Sequence, residues 1–141
     1  FEVSLRDANA LGRTDAERSE LLRRAIDLYQ ADFLVGIESD WVIRRREQLR
    51  LKYVHALTDL GDWERSHRRR VAAMRLYRRA IEVEAFHEPA HAGIMNCYAE
   101  DGLPRQAITH FRELEADLVR ELSTKPSPEI VALYEHIAAG V

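Results

Sequence analysis

The sequence predicts an all-α fold of about seven helices, arranged as antiparallel pairs. Apolar side chains recur at intervals of three and four residues nearly from end to end, which is the spacing of one face of an α-helix. Nowhere do apolar and polar residues alternate as they do in a half-buried strand. Proline, glycine and capping residues interrupt the helical pattern at several points, and these interruptions divide it into separate helices.

The first three predicted helices are separated by a glycine and by one irregular segment. A short helix stops near Gly12, and the next opens at the sequence TDAE, Thr14 to Glu17. This is a capping box, in which the threonine oxygen and the glutamate carboxylate each accept a hydrogen bond from the other residue's backbone N–H. The segment ADFLVGIESD, residues 31–40, then breaks the periodicity, and a long third helix follows over residues 40–61.

Four further helices are predicted, three of them opened by proline. The fourth helix carries the apolar residues from Val71 to Ile81. Pro89, Pro104 and Pro128 each suit the first turn of a helix, where the missing backbone donor has no partner to lose. A turn glycine follows the helix that Pro89 opens, and the loop STKPSPE precedes the last helix.

Several residues around the irregular segment are assigned structural roles. Asp32 and Asp40 each precede a turn or a helix start, where a carboxylate caps backbone donors, so we interpret them as caps and not as a carboxylate pair or metal site. Gly36 is expected to adopt unusual backbone angles, and Phe33 and Trp41 to mark the same structural motif, with Trp41 packed in the core or between helices.

Composition is typical of a single soluble domain covering residues 1–141. The hydrophobic fraction is 46% and the charged fraction 32%, and no apolar run approaches the roughly 20 residues that span a bilayer. Cys97 is the only cysteine and lies among apolar neighbours, so we expect a core residue and a reducing, cytoplasmic location without membrane association. The chain begins at Phe1 and not at methionine, so we expect it to be excised from a longer protein.

The charge of the chain is segregated along its length. Residues 41–79 hold 12 basic and 4 acidic side chains, a local balance of +8, although the whole chain has a net charge of −3. Two arginine triplets lie in this segment: Arg44, Arg45 and Arg46, and Arg68, Arg69 and Arg70. Such a cluster can contact the phosphates of a nucleic acid or an acidic partner, or it can pair with the acidic ends of the same domain. The sequence leaves both interpretations open.

A zinc-protease pattern is also present, but its context argues against it. HEPAH, His87 to His91, matches H-E-x-x-H, which requires both histidines on one face of a continuous helix. Pro89 is expected to begin a helix, which places His87 before it and His91 within it, and we expect His91→Ala to leave the melting temperature nearly unchanged. The chain also lacks a phosphate-binding loop and a G-x-S-x-G motif, so we expect no enzyme activity, metal or cofactor.

The segment from Glu88 resembles a tetratricopeptide repeat. Ala107 is the small residue that lets two helices approach, Tyr98 and Phe111 fill the space between them, and Gly102 turns the chain. A preceding unit carries small and aromatic residues at matching intervals: Ala73, Tyr77 and Ala80.

The expected turn of that preceding unit, Gly61 to Trp63, lies seven residues too far upstream. We therefore expect a lengthened helix between Trp63 and Ile81. The resemblance implies a right-handed superhelix with a concave groove, in which Asn96 is a candidate binding residue.

Taken over its whole length, the chain resembles the bacterial transcriptional activator domain of the Streptomyces antibiotic regulatory protein family. The matching pieces are AIDLYQADFLVGIESDWV, RRREQLRLKYVHAL, the GDW sequence, the repeat from Glu88, and ELSTKPSPEIVALYEHI. The resemblance implies a regulatory, non-catalytic module that follows an OmpR-like winged-helix DNA-binding domain.

The implied partners are that winged-helix domain, RNA polymerase, promoter DNA through the full-length protein, and a second copy in a homodimer. The alternative is a free-standing tetratricopeptide-like adaptor that binds a peptide in its concave groove.

Overall fold

The computed structural model describes residues 1–10, 12–31 and 40–141, and for residues 30, 31 and 40–42 it describes the backbone alone. These residues form helices and no strand, so the predicted all-α class and the number of helices are confirmed. The helices are α1 (Glu2–Ala8), α2 (Asp15–Ala31), α3 (Asp40–Ser66), α4 (Arg70–Val83), α5 (Glu88–Glu100), α6 (Pro104–Leu122) and α7 (Pro128–Ala139).

The helices stack as consecutive antiparallel pairs, which is the tetratricopeptide-like arrangement. Each helix packs against the next one in the chain, and in addition α3 packs against α5, and α5 against α7. The odd-numbered helices from α3 onward therefore form one continuous layer, while α4 and α6 lie outside it. Within the described residues, no helix is both long and apolar enough to cross a membrane.

The local signals that start the helices work as predicted. Thr14 and Glu17 form the capping box, with both reciprocal hydrogen bonds at 3.2 Å. Proline lies in the first turn of α5, α6 and α7. Asp40 begins α3, as expected for the long third helix, but the structure does not describe its side chain.

The end of α3 is a correction to the sequence interpretation. Gly61 does not end this helix, which continues to Ser66 and has 27 residues. The chain turns at residues 67–69 instead, where Arg68 has φ +61°. The lengthened helix expected between Trp63 and Ile81 is therefore wrong, because the extra length belongs to α3 and α4 begins only at Arg70.

Once the turn is placed at Arg68, the two repeat units agree in register, and the excess of seven residues counted from Gly61 to Trp63 disappears. Arg68 and Gly102, both with positive φ, lie 34 residues apart. The same separation of 34 residues relates three pairs of buried side chains, which are Ala73 and Ala107, Tyr77 and Phe111, and Ala80 and Leu114. Thirty-four residues is the period of the tetratricopeptide repeat.

Gly61 allows close packing inside α3. A Cβ atom at Gly61 would lie 2.7 Å from Cε1 of Tyr77, and one at Gly93 of α5 would lie 2.3 Å from Cζ of the same ring. The ring of Tyr77 is fully buried, and its hydroxyl donates a hydrogen bond to Oδ1 of Asp62 at 2.5 Å. Two glycines on two helices thus form the slot that holds this α4 side chain.

In the part of the chain that the structure describes, the interior contains two apolar clusters that meet at α5. The first contains buried residues from α1 to α5, and the second contains residues from α5, α6 and α7. Tyr98 packs against both clusters. Cys97 is buried in the first, and burial raises the pKa of its thiol to about 11, as expected for a core cysteine.

The equivalent turn positions give a testable contrast in stability. A side chain in the left-handed region costs about 1 kcal/mol or more, which glycine avoids. We expect Arg68→Gly to raise the free energy of unfolding by about 0.5 kcal/mol and Gly102→Ala, at φ +75°, to lower it by about 1 kcal/mol. Urea denaturation of the two variants measures both effects, and a destabilised Arg68→Gly variant would show that the Arg68 side chain contributes more than its backbone strain.

Candidate functional site

The two arginine triplets lie at opposite ends of α3. Arg44 to Arg46 are in the first two turns of this helix, whereas Arg68 and Arg69 are in the turn after it and Arg70 begins α4. At 1.5 Å per residue, roughly 30 Å of helix separates the two groups. They cannot form a single patch, and the expectation that Arg68 to Arg70 all lie on one lengthened helix is wrong.

Within the first triplet, the three arginines have different surroundings. Arg45 forms a 2.6 Å ion pair with Glu2 of α1, and Lys52 approaches the same carboxylate at 3.0 Å. The hydrogen bonds from Arg45 and Lys52 lower the pKa of Glu2 to about 2. Arg46 is half-buried, and Arg44 is exposed without an ion pair among the described residues. Arg44 is therefore the member of this triplet available to a partner.

In the second triplet, two of the three arginines are bound within the domain. Arg70 pairs with Asp101, at the end of α5. Arg69 lies 3.6 Å from the carboxylate of Glu64, and its guanidinium is 5.3 Å from the centre of the Trp63 ring. The side chain of Arg68 is exposed and forms no ion pair or hydrogen bond within the described ranges. Arg68 is thus the accessible member of this group.

Glu64 is the centre of a cluster that the sequence did not indicate. The residue is 2% exposed, and its carboxylate is held by Arg23 of α2 as well as by Arg69. The Arg23 guanidinium also lies against the Trp63 ring, 5.4 Å from its centre. Because a buried carboxylate requires compensating charge, these arginines stabilise the junction between α2 and the α3–α4 turn.

Arginines also join one turn of the stack to the next. Arg65 of α3 pairs with Glu100 of α5 at 2.7 Å, and Arg70 pairs with the neighbouring Asp101. Both acidic partners belong to the acidic C-terminal part of the chain. The structure thus contains ion pairs between the basic segment and an acidic end of the same domain, which is one of the two interpretations that the sequence left open.

The zinc-like motif is divided as the sequence predicted, and its second histidine is buried against α6. His87 occupies the N-cap position of α5 without a side-chain cap bond, and its Nε2 is hydrogen-bonded to the Thr58 hydroxyl at 3.1 Å. His91 is 6% exposed, with Nδ1 2.8 Å from Nε2 of His110 and Nε2 2.7 Å from the carbonyl oxygen of Ala85. The expectation that His91→Ala is neutral does not fit these contacts, because His91 is buried and the change would remove both of its side-chain hydrogen bonds.

The remaining predicted site residues are placed as follows. Asp32, Phe33 and Gly36 lie outside the described residues, and Trp41 is in the first turn of α3 without a described side chain. Asn96 is half-buried on α5. Ala107 is fully buried on α6, within the second apolar cluster. Within the described residues, no group of three or more potential ligand side chains is arranged to hold a metal ion.

The clusters around Glu64 and Arg65 were missed because their partners are distant in sequence. Arg23 is 41 residues from Glu64, and Arg65 is 35 residues from Glu100. The one signal that could have revealed the second pair is the 34-residue period, which brings equivalent turns together once Arg68 is identified as the turn residue.

The described helices form an all-α, tetratricopeptide-like repeat domain whose units are joined by ion pairs. The family model described as bacterial transcriptional activator domain matches residues 1–138, and the chain belongs to this family. Domains of this family are parts of transcriptional activators, and the family is not known as one of enzymes. Searches of curated proteins and of solved structures found no significant match.

Proposed function

We propose that this chain is the non-catalytic regulatory and protein-interaction domain of a bacterial transcriptional activator. The family match over residues 1–138 carries this proposal. The full-length protein would place the chain after a winged-helix DNA-binding domain, in the cytoplasm, where it would contact that domain and RNA polymerase and help to activate transcription at a promoter. Action as a homodimer is part of the same proposal.

The structure supports a limited role for arginine in that function. Arg45, Arg69 and Arg70 are engaged by carboxylates of the domain itself. Arg44 and Arg68 are exposed and lack such partners among the described residues. We therefore propose these two arginines as the contacts to promoter phosphates or to an acidic polymerase surface, in place of both complete triplets.

The test uses the full-length activator with Arg44→Gln and Arg68→Gln, singly and together. We expect each change to weaken promoter binding at low salt and to reduce the slope of log affinity against log salt by about 0.9 for each phosphate that is no longer neutralised. Fluorescence anisotropy with labelled promoter DNA at several salt concentrations measures both quantities. Arg75→Gln, at an exposed arginine of α4 outside both triplets, is the matched control.

The outcomes separate three interpretations. Unchanged promoter affinity with loss of transcription in vitro would assign the arginines to a protein partner. If neither affinity nor transcription changes, the proposed contacts are wrong and the two arginines serve only as solvated surface. A replacement of all three residues Arg68 to Arg70 would be less informative, because it would also break the ion pairs with Glu64 and Asp101.

The adaptor alternative is distinguished by a different observation. A free-standing adaptor would use the concave side of the layer formed by α3, α5 and α7, where Asn96 is the candidate residue. The coding sequence upstream of Phe1 decides between the two, since a winged helix there supports the activator and another domain supports the adaptor.

A further inference from the structure

A groove between α6 and α7 combines an apolar floor with a basic rim. Its volume is about 730 Å³. Ala116 and Val119 of α6, Pro126 of the connecting loop and Val131 of α7 form the apolar floor. The charged lining residues are three basic side chains and one acidic side chain: Arg112, Arg120, Lys125 and Glu115. Residues of two helices and their loop therefore converge on one elongated surface.

The apolar part of this surface is unusually exposed. Val119 is 58% exposed, and Leu122, one turn further along α6, is 54% exposed. The opposite face of α6 is fully used, because its buried residues belong to the second apolar cluster: Ala107, Phe111, Leu114 and Leu118. The exposed residues thus form a second apolar stripe on a helix whose core contacts are already complete, which is the pattern of a docking surface.

The charge around the groove is opposite to that of its surroundings. Residues 80–141 hold 11 acidic and only 4 basic side chains. Three of the four basic side chains, Arg112, Arg120 and Lys125, line this groove. Arg120 pairs with Asp117 at 2.5 Å, whereas Arg112 and Lys125 have no ion pair among the described residues. Arg112 and Lys125 outnumber the one carboxylate of the lining, Glu115, so the groove keeps a positive balance beside its apolar floor. This combination is complementary to an acidic, amphipathic ligand.

The stacking of the domain indicates the form of that ligand. In the earlier pairs, α1 packs with α2, α3 with α4 and α5 with α6. Within the described residues, α7 packs against both α5 and α6. A helix laid in the groove would cover the exposed stripe of α6 and the start of α7 in the way that helices cover one another elsewhere in the stack.

We propose that the α6–α7 groove binds an acidic amphipathic helix of a partner protein. The apolar side of that helix contacts Val119, Leu122 and Val131, while its carboxylates pair with Arg112 and Lys125. This binding does not depend on DNA or on the proposed role of Arg44 and Arg68, so it can be tested on the 141-residue chain alone.

The probe is a fluorescein-labelled helical peptide of about 14 residues, four helical turns, with leucines on one face and glutamates flanking it. Fluorescence anisotropy titration should give saturable binding. We expect the double variant Arg112→Glu, Lys125→Glu to weaken it by about tenfold or more, and Val119→Asp to do the same through the apolar floor. A peptide with glutamine in place of every glutamate should bind at least about tenfold more weakly to the unaltered chain.

The control is the double variant Arg75→Glu, Arg105→Glu, which reverses the same number of exposed charges outside the groove. We expect this control to change the affinity less than about threefold, because long-range effects are screened at physiological salt. Equal weakening in the control and groove variants, or no saturable binding, would overturn the proposal. A dimer of the unaltered chain in sedimentation, which the double variant Arg112→Glu, Lys125→Glu converts to a monomer, would also overturn the proposal. The occupant of the groove would then be a second copy of the chain.

Discussion

Gly93→Ala is expected to destabilise the domain by about 2–3 kcal/mol, although glycine to alanine within a helix ordinarily stabilises by roughly 0.5–1 kcal/mol. The added methyl group would lie 2.3 Å from Cζ of Tyr77, where it overlaps the ring. The ring cannot move aside easily, because it is fully buried and its hydroxyl is held by Asp62 and, at 3.4 Å, by Nε of Arg65. Thermal denaturation should show a melting temperature lower by about 10 °C.

The control for this change is Gly140→Ala, where the nearest atom to an added Cβ is 3.6 Å away. A double-mutant cycle with Tyr77→Leu identifies the cause. If the clash with the ring is responsible, the cost of Gly93→Ala should fall sharply when Tyr77 is already leucine. A cost that is the same in both backgrounds would mean that some other contact of Gly93 is responsible.

The hydrogen-bonded pair His91 and His110 should make the domain sensitive to mild acid. Burial, and then the neighbouring His91, lower the pKa of His110 to about 4, and burial lowers the pKa of His91. An unfolded histidine has a pKa of about 6.5. The unfolded chain therefore binds more protons than the folded chain between about pH 6.5 and 4, and the free energy of unfolding decreases as the pH falls through this window. The full stability from these groups is present above about pH 6.5.

The size of this acid effect is on the order of 1–3 kcal/mol, since one unit of pKa corresponds to about 1.4 kcal/mol. His110→Gln keeps a donor toward His91 and removes one titrating group, so it should flatten the dependence of urea-unfolding free energy on pH. His136→Gln on the exposed side of α7 is the control. The other charged or titratable groups that influence the pair are Arg78, Glu88 and Asp117. An equal slope in both variants would show that carboxylates, and not this pair, determine the acid response.

His91 itself illustrates where the sequence was insufficient. Its position after Pro89 correctly indicated that it shares no helical face with His87. Its burial depends on His110, 19 residues later on another helix, and on a carbonyl in the α4–α5 connection. Helix packing alone brings these groups together, and we now expect His91→Ala to be destabilising.

Local signals were the most informative part of the sequence. The capping box at Thr14 and the prolines at Pro89, Pro104 and Pro128 act within one helical turn. The start of each of these helices therefore depends on neighbouring residues and can be predicted from the sequence. Gly61 was misassigned because a glycine can serve either as a turn or as a site of close approach. The position of Tyr77 decides between them, and it is fixed by tertiary packing.

The accessibility of the arginines depends on tertiary packing in the same way. Their number and spacing were plain in the sequence, but the availability of each one depends on carboxylates from other parts of the fold, such as Glu2, Glu64 and Asp101. Arg44 and Arg68, which are exposed and have no ion pair in the described part of the chain, could not be distinguished from the others by residue type or by position on a helical wheel.

The position of α5 between the two apolar clusters has a consequence for how the domain loses its structure. Ala90, Ile94 and Cys97 on this helix belong to the first cluster, while Met95 belongs to the second. In a stack where each unit contacts only its neighbours, such a shared helix couples the melting of the two halves. Opening of the α6–α7 end alone leaves the first cluster intact, whereas loss of α5 removes a wall from both clusters at once. This helix sets the boundary between local opening and global unfolding.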